Sequence, residues 1–206
     1  MIYGRRVTAP GRGMDAAALR GIAFVCFAAF AVTVAVMPLI ERGYDPARQT
    51  ISEAVLLRHG EVQTAGLYFL GFGSFALAGA LFRTWRDRCG YAIAGLVAVS
   101  AVCVVVLTIF PADYGNHARS IGGWMHNLGA GAAFLAIFAG MCQACWPPAM
   151  LRGRRGMALV AFPLAMIVFG TLLLLDLGPR GLVQRVSVGW DLLWLTLIAL
   201  GALRAH

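Results

Sequence analysis

Three segments of this chain hold most of the side chains able to do chemistry. Residues 44–53 carry Asp45, Arg48, Ser52 and Glu53. Residues 110–131 carry Asp113, His117, Arg119 and His126. Residues 178–191 carry Arg180, Arg185, Trp190 and Asp191. A histidine oriented by a carboxylate is a common general acid–base arrangement. His126, steered by Asp113 or Glu53, is therefore the catalytic candidate. Arg185, with Arg48 as second choice, would clamp a phosphate or carboxylate head group, because a guanidinium presents paired donors to a planar anion. Ser52 is a conceivable nucleophile, but no G-x-S-x-G elbow surrounds it. Ser52, Asp191, His117 and Trp190 complete the ligand-binding set. His117, His126, Asp113 and Glu53 are also adequate zinc ligands by type. The chain has no H-x-x-x-H pair, however, so neither a metal nor another cofactor is expected.

The elements that must position these groups follow from composition. Of 206 residues, 60% are hydrophobic and 13% charged, and the mean hydropathy is +0.78. A soluble domain carries about 25% charged residues. Soluble domains, disordered chains and nucleic-acid arms are thereby excluded, and an all-α integral membrane protein remains. Six stretches are apolar enough to span, at about 22–40, 64–82, 90–112, 128–146, 157–175 and 186–203, within a single domain over 1–206. All 17 basic residues are Arg, which points to a GC-rich bacterial genome.

Arginine placement sets the expected orientation. Eleven Arg lie on the side of the termini, with only Asp15 and Asp87 as acids. Six Arg and seven acids lie on the other side. By the positive-inside rule both termini are cytoplasmic, in the plasma membrane. The net charge of +8 is then an orientation signal and implies no nucleic-acid partner. A cleaved signal peptide is the weaker reading of the first span, since no small-x-small site ends it before Pro38. None of the five cysteines falls in an outer segment, and the C-x-x-C of Cys142 and Cys145 reads as two small apolar residues one turn apart.

The chemistry-bearing segments all fall on the expected outer side. In the first, Asp45-Pro46 marks a turn, and Thr50 or Ser52 can cap a short helix with Glu53 in its first turn. That helix should lie at the interface or dip into the bundle mouth. In the second, Pro111 ends span three. His126, Gly129, Ala130 and Ala133 share a small face that another helix can approach. A histidine there needs a polar partner, and Asp113 is the nearest in sequence. In the third, Asp191 lies inside the apolar run near its outer end, and Trp190 fits an aromatic belt. Gly66, Gly71, Gly73 and Gly79 suit span two to close helix contact.

Over residues 31–203 the chain resembles the membrane family catalogued as domain of unknown function 998. The resemblance rests on Gly43-Tyr44-Asp45-Pro46 and Gln49-Thr50-Ile51-Ser52-Glu53, on Ile109-Phe110-Pro111-Ala112-Asp113, on His126 with Gly129-Ala130, and on Gly181-Leu182-Val183-Gln184-Arg185. The shared motif positions are Ser52, Glu53, Asp113, His126 and Arg185. Family patterns often carry Glu where this chain has Gln184. The layout is also similar to the wider six-helix group of DRAM-type and Frag-type proteins, some of them tied to lipid or lipid-anchor metabolism, which implies a lipid-facing function.

The expectation is thus a six-helix bundle with an extracytoplasmic polar pocket that binds or processes a lipid or lipid-linked molecule. Its partners would be the bilayer and that ligand, with no protein partner indicated. Two alternatives stand beside it. One is a non-enzymatic scaffold or accessory subunit whose outer polar cluster is structural. The other is a metal-dependent membrane hydrolase.

Overall fold

A computed structural model describes residues 14–116, 119–145 and 154–203. Its described residues form six α-helices and no strand: α1 (Ala16–Ile40), α2 (Gly60–Thr84), α3 (Arg88–Ile109), α4 (Ile121–Ala144), α5 (Arg154–Leu174) and α6 (Arg180–Ala199). Two 3-10 turns, Glu53–Leu56 and Tyr114–Asn116, punctuate the connections after α1 and α3. Five helices are long and apolar enough to cross a membrane; in α5 the apolar stretch among described residues is the shorter Leu159–Leu174. Helices suit that setting because each satisfies its own backbone hydrogen bonds.

Local chemistry starts the helices where it should. Asp15 accepts from the Ala18 amide at 2.6 Å, Asp87 from Gly90 at 2.7 Å and Ser120 from Gly123 at 2.9 Å. Each side chain occupies the N-cap and takes one of the amides that a helix start leaves without a partner. The two acids on the arginine-rich side, Asp15 and Asp87, are therefore both helix caps.

Successive helices alternate in direction. The segments after α1, α3 and α5 gather at one end, here the upper end, and the α2–α3 connection lies at the lower end. α2, α4 and α6 begin at Gly60, Ile121 and Arg180, several residues before the apolar stretches at 64, 128 and 186. The polar upper-end residues of α4 and α6 accordingly ride on helical turns instead of loops.

Helices α1 to α4 pack as consecutive neighbours, and α6 packs on α5 and along α1. Gly66 and Gly73, seven residues apart, let α1 lie close to α2. A Cβ added at Gly66 would meet Thr33 at 2.0 Å, and one at Gly73 would meet Cys26 and Phe27 below 3.0 Å. The lower half of the bundle is filled by Phe27, Leu77, Ile93, Val97, Met141 and Trp194. Trp194 lies against Gly140 and holds α6 to α4 at that level. Large apolar residues also cover the outside: Val25, Leu39, Leu135 and Leu174 are all 65% exposed or more. A lipid-facing surface explains that distribution, and water would not.

Gly73→Leu should force α1 and α2 apart, whereas Gly95→Leu enters open space. Overpacking of this kind costs about 1–3 kcal/mol. The thermal midpoint of the purified protein in detergent should fall for the first variant and stay unchanged for the second.

Candidate functional site

The upper end is built from the segment after α1. Asp45 accepts from the Ala47 amide at 2.9 Å, and its own amide donates to Gln49 Oε1 at 2.8 Å, which folds residues 45–49 into a turn. Thr50 and Glu53 then form a reciprocal capping box. The Glu53 amide donates to Thr50 Oγ1 at 3.2 Å, and the Thr50 amide donates to Glu53 Oε2 at 2.7 Å. The Thr50 hydroxyl also donates to Oε2, at 3.0 Å. Glu53 Oε1 accepts from the Gly115 amide at 3.1 Å, tying the segment after α1 to the one after α3. Ala54 packs on Met37 and Tyr44, so the short helix plugs the mouth of the bundle, as its apolar residues imply.

The start of α6 docks onto this segment. A Cβ at Gly181 would lie 2.3–2.9 Å from the carbonyl oxygens of Gln49, Pro46 and Ala47, so only glycine permits the approach. The Leu182 amide, free of a partner within its helix, donates to the Ala47 oxygen at 3.0 Å. Gln184 Oε1 accepts from the Ile51 amide at 2.7 Å. Arg185 completes the latch. One of its terminal nitrogens donates to the carbonyls of Pro46, Gln49 and Gly181 at 2.5, 2.7 and 3.0 Å. The other donates to the Tyr44 hydroxyl, and the guanidinium lies 5.3 Å from the Tyr44 ring centroid. Tyr44 passes its own hydrogen to the Thr50 oxygen at 3.2 Å. Burial pushes the Tyr44 phenol up, and the Arg185 charge works against that shift.

Asp113 and His126 do not form the expected pair. Asp113 accepts from the amides of Ser120 and Arg119 at 2.8 and 2.6 Å and from the Ser120 hydroxyl at 2.8 Å. Those bonds, led by the Ser120 amide, hold its carboxyl below the usual carboxylate range. Gly123 leaves the room for it, because a Cβ there would sit 2.1 Å from Asp113 Oδ2. His126 is 3% exposed and turns toward α3. Its Nδ1 is 3.0 Å from the Leu107 oxygen and 2.9 Å from the Phe110 oxygen. Carbonyls only accept, so Nδ1 must carry a hydrogen. The reason for the contact lies in Pro111. The helical partner of the Leu107 carbonyl would be the amide of residue 111, and proline has none. His126 supplies the missing donor across the helix interface that Gly129 and Ala133 keep close.

Other candidates are dispersed. Arg48 points outward, with its side chain 86% exposed, 3.6 Å from Asp45. Trp190 is half-buried between helices, donating to the Phe162 oxygen at 3.2 Å with ring centroids 4.9 Å apart, so it anchors α6 to α5. His117 lies outside the described residues. His59 donates its amide to Glu41 Oε2 at 3.0 Å and places Nδ1 at the same distance, which holds Glu41 below the usual range. Cys145 bonds the Met141 carbonyl at 3.3 Å like an ordinary helical residue. Among the described residues no three His, Cys, Asp or Glu side chains converge as metal ligands do.

Ser52 and Asp191 both line a cavity inside the bundle. It lies beneath the latch, between α6 and the α1–α4 unit, encloses about 80 Å³ and opens at its mouth. Ile51, Ser52 and Gln184 line the latch end, Phe30, Leu67, Val104, Ala133 and Phe134 the walls. Asp191 is the twelfth of twenty residues in α6, since that helix begins at Arg180, and so sits deeper than the apolar run at 186–203 implies. It is 8% exposed, and its Oδ1 has no hydrogen-bond partner among the described residues.

His126→Ala should leave the Leu107 and Phe110 carbonyls without their donor. A buried unsatisfied group costs about 1–3 kcal/mol. Thermal unfolding in detergent should show that loss, and His126→Ala matching wild type would contradict the role assigned to the ring.

No curated protein and no solved structure matches the chain. One family does: the description protein of unknown function (DUF998) matches residues 24–201, a stretch that contains the capping box, the Pro111 turn, His126 and the α6 latch. The chain thus belongs to the DUF998 family, and it is a multi-pass membrane protein of that family.

Proposed function

We propose that this protein holds a lipid or lipid-linked amphiphile inside its helix bundle, with the latch as the cover of the site. The observation that carries this reading is the cavity itself. Its walls are mostly apolar, its polar groups are few, and its mouth is open, as in ligand pockets. A cavity of this kind within apolar helices suits a hydrocarbon chain delivered from the bilayer.

Binding is favoured over catalysis at the upper end. Glu53, Asp113 and Arg185 each make three or more hydrogen bonds within the protein, and His126 Nδ1 serves the end of α3. A group already engaged in this way must break its own structure before it can take a substrate proton or clamp a head group. The same engagement supports the structural part of the scaffold reading, in which the polar cluster is a hydrogen-bond network. The two are compatible, since the network forms the roof of the cavity.

By the positive-inside rule, the arginine asymmetry supports a latch on the extracytoplasmic side and both termini in the cytoplasm of a plasma-membrane protein. Mass spectrometry of the protein released from lipid nanodiscs tests the binding reading. Wild type should retain a lipid mass, and Ala133→Phe, which fills the cavity wall, should lose it while keeping its helix content. Equal retention by both proteins, or none by wild type, would remove the proposal.

A further inference from the structure

The cavity poses a chemical question that its apolar walls do not answer. Asp191 is a carboxyl side chain more than nine-tenths buried, on a helix that crosses the membrane. It lines the cavity, and Oδ1 has no hydrogen-bond partner among the described residues. The remaining polar residues lining the space are Ser52, Ser74, Ser100 and Gln184, and none carries a charge. Ser74 donates its hydrogen to the Leu70 oxygen at 2.8 Å, and Gln184 Oε1 is taken by Ile51. The nearest cation in sequence, Arg185, turns its terminal nitrogens to Tyr44 and the carbonyls of the upper segment. Glu53, above the cavity, is likewise spent on Thr50 and Gly115.

A buried carboxyl without a partner is costly in a membrane helix. Such groups in membrane helices face a cavity and meet a partner there. Here the chain places a mostly apolar space beside the carboxyl, and the described residues lining it include no cation.

We propose that Asp191 is the head-group subsite of this cavity and that it selects a single-chain amphiphile bearing a protonated amine. The amine donates to the carboxyl oxygens, and the chain lies along Leu67, Val104, Phe134 and Leu195. An anionic head group is disfavoured there, because it would face a carboxyl with no basic side chain to offset it. The proposal rests on the binding reading above, and the two can fail separately.

The test uses dodecylamine, dodecanol and dodecanoic acid, which share a chain length and differ in the head. Each is added alone to nanodisc-embedded wild type and Asp191→Asn, and adducts are counted by mass spectrometry. Partition into the bilayer is common to both proteins, so the ratio between them isolates the site. Wild type should hold the amine about tenfold more tightly than the acid. Asp191→Asn, which keeps the side-chain shape, should lose most of that preference and leave dodecanol nearly unchanged. The ranking in wild type alone decides the matter if the variant does not fold. Equal binding of all three by wild type overturns the amine assignment and leaves chain binding standing, as does an amine adduct undiminished in Asp191→Asn. No adduct from any probe overturns both readings.

Discussion

The structure depends on one constraint: backbone that leaves a helix at the mouth of a membrane bundle must still find hydrogen-bond partners. Inside the six helices the problem solves itself. Between them it does not, and the polar side chains of this apolar chain are concentrated where it arises. Arg185 gathers carbonyls from Pro46 and Gln49, Gln184 takes the Ile51 amide, and Glu53 takes Thr50 and Gly115. Asp113 organises the start of α4, and His126 repairs the end of α3 that Pro111 leaves open. The bonds that involve Arg185, Glu53 and Asp113 are charge-assisted and contribute more than neutral ones, about 1.5–3 kcal/mol each against about 1. The chain thus places charge where irregular backbone most needs it.

This arrangement ties the family motifs to one task. Gly181, Gln184 and Arg185 serve the same docking step, in which the first turns of α6 settle on residues 45–51. With that step made, α6 is held at its upper end by the latch and lower down by Trp194 against Gly140. The cavity lies between those two fastenings, and Asp191 faces into it. Latch and cavity are therefore one construction.

Much of the fold was legible in the residues. Apolar stretches located all six helices, the glycines of α2 indicated close packing, and the small face of α4 pointed to a helix neighbour. Thr50 with Glu53 three residues later is a capping-box pattern, and the structure forms it. Helix starts were less legible, because an apolar stretch ends where polar residues begin while the α4 and α6 helices continue through them. Partners were legible least. Asp113 is near His126 in sequence, yet the imidazole goes to carbonyls of α3, whose need for a donor is visible only once Pro111 is read as a missing amide. Nothing in the sequence marks the gap between α6 and the other helices, because it depends on how far the docked helix stands off. Tyr44, Gln184 and Gly181 stand in the family motifs, but their role exists only across the contact.

The central claim is that the segment after α1 and the start of α6 form a single latch centred on Arg185. Amide hydrogen exchange of the nanodisc-embedded protein tests it most directly, comparing wild type with Arg185→Met. The account predicts that the Ile51 and Leu182 amides lose protection together in the variant, while amides in the middle of α2 and α3 keep theirs. Undiminished protection at both sites, or loss at one without the other, would contradict it.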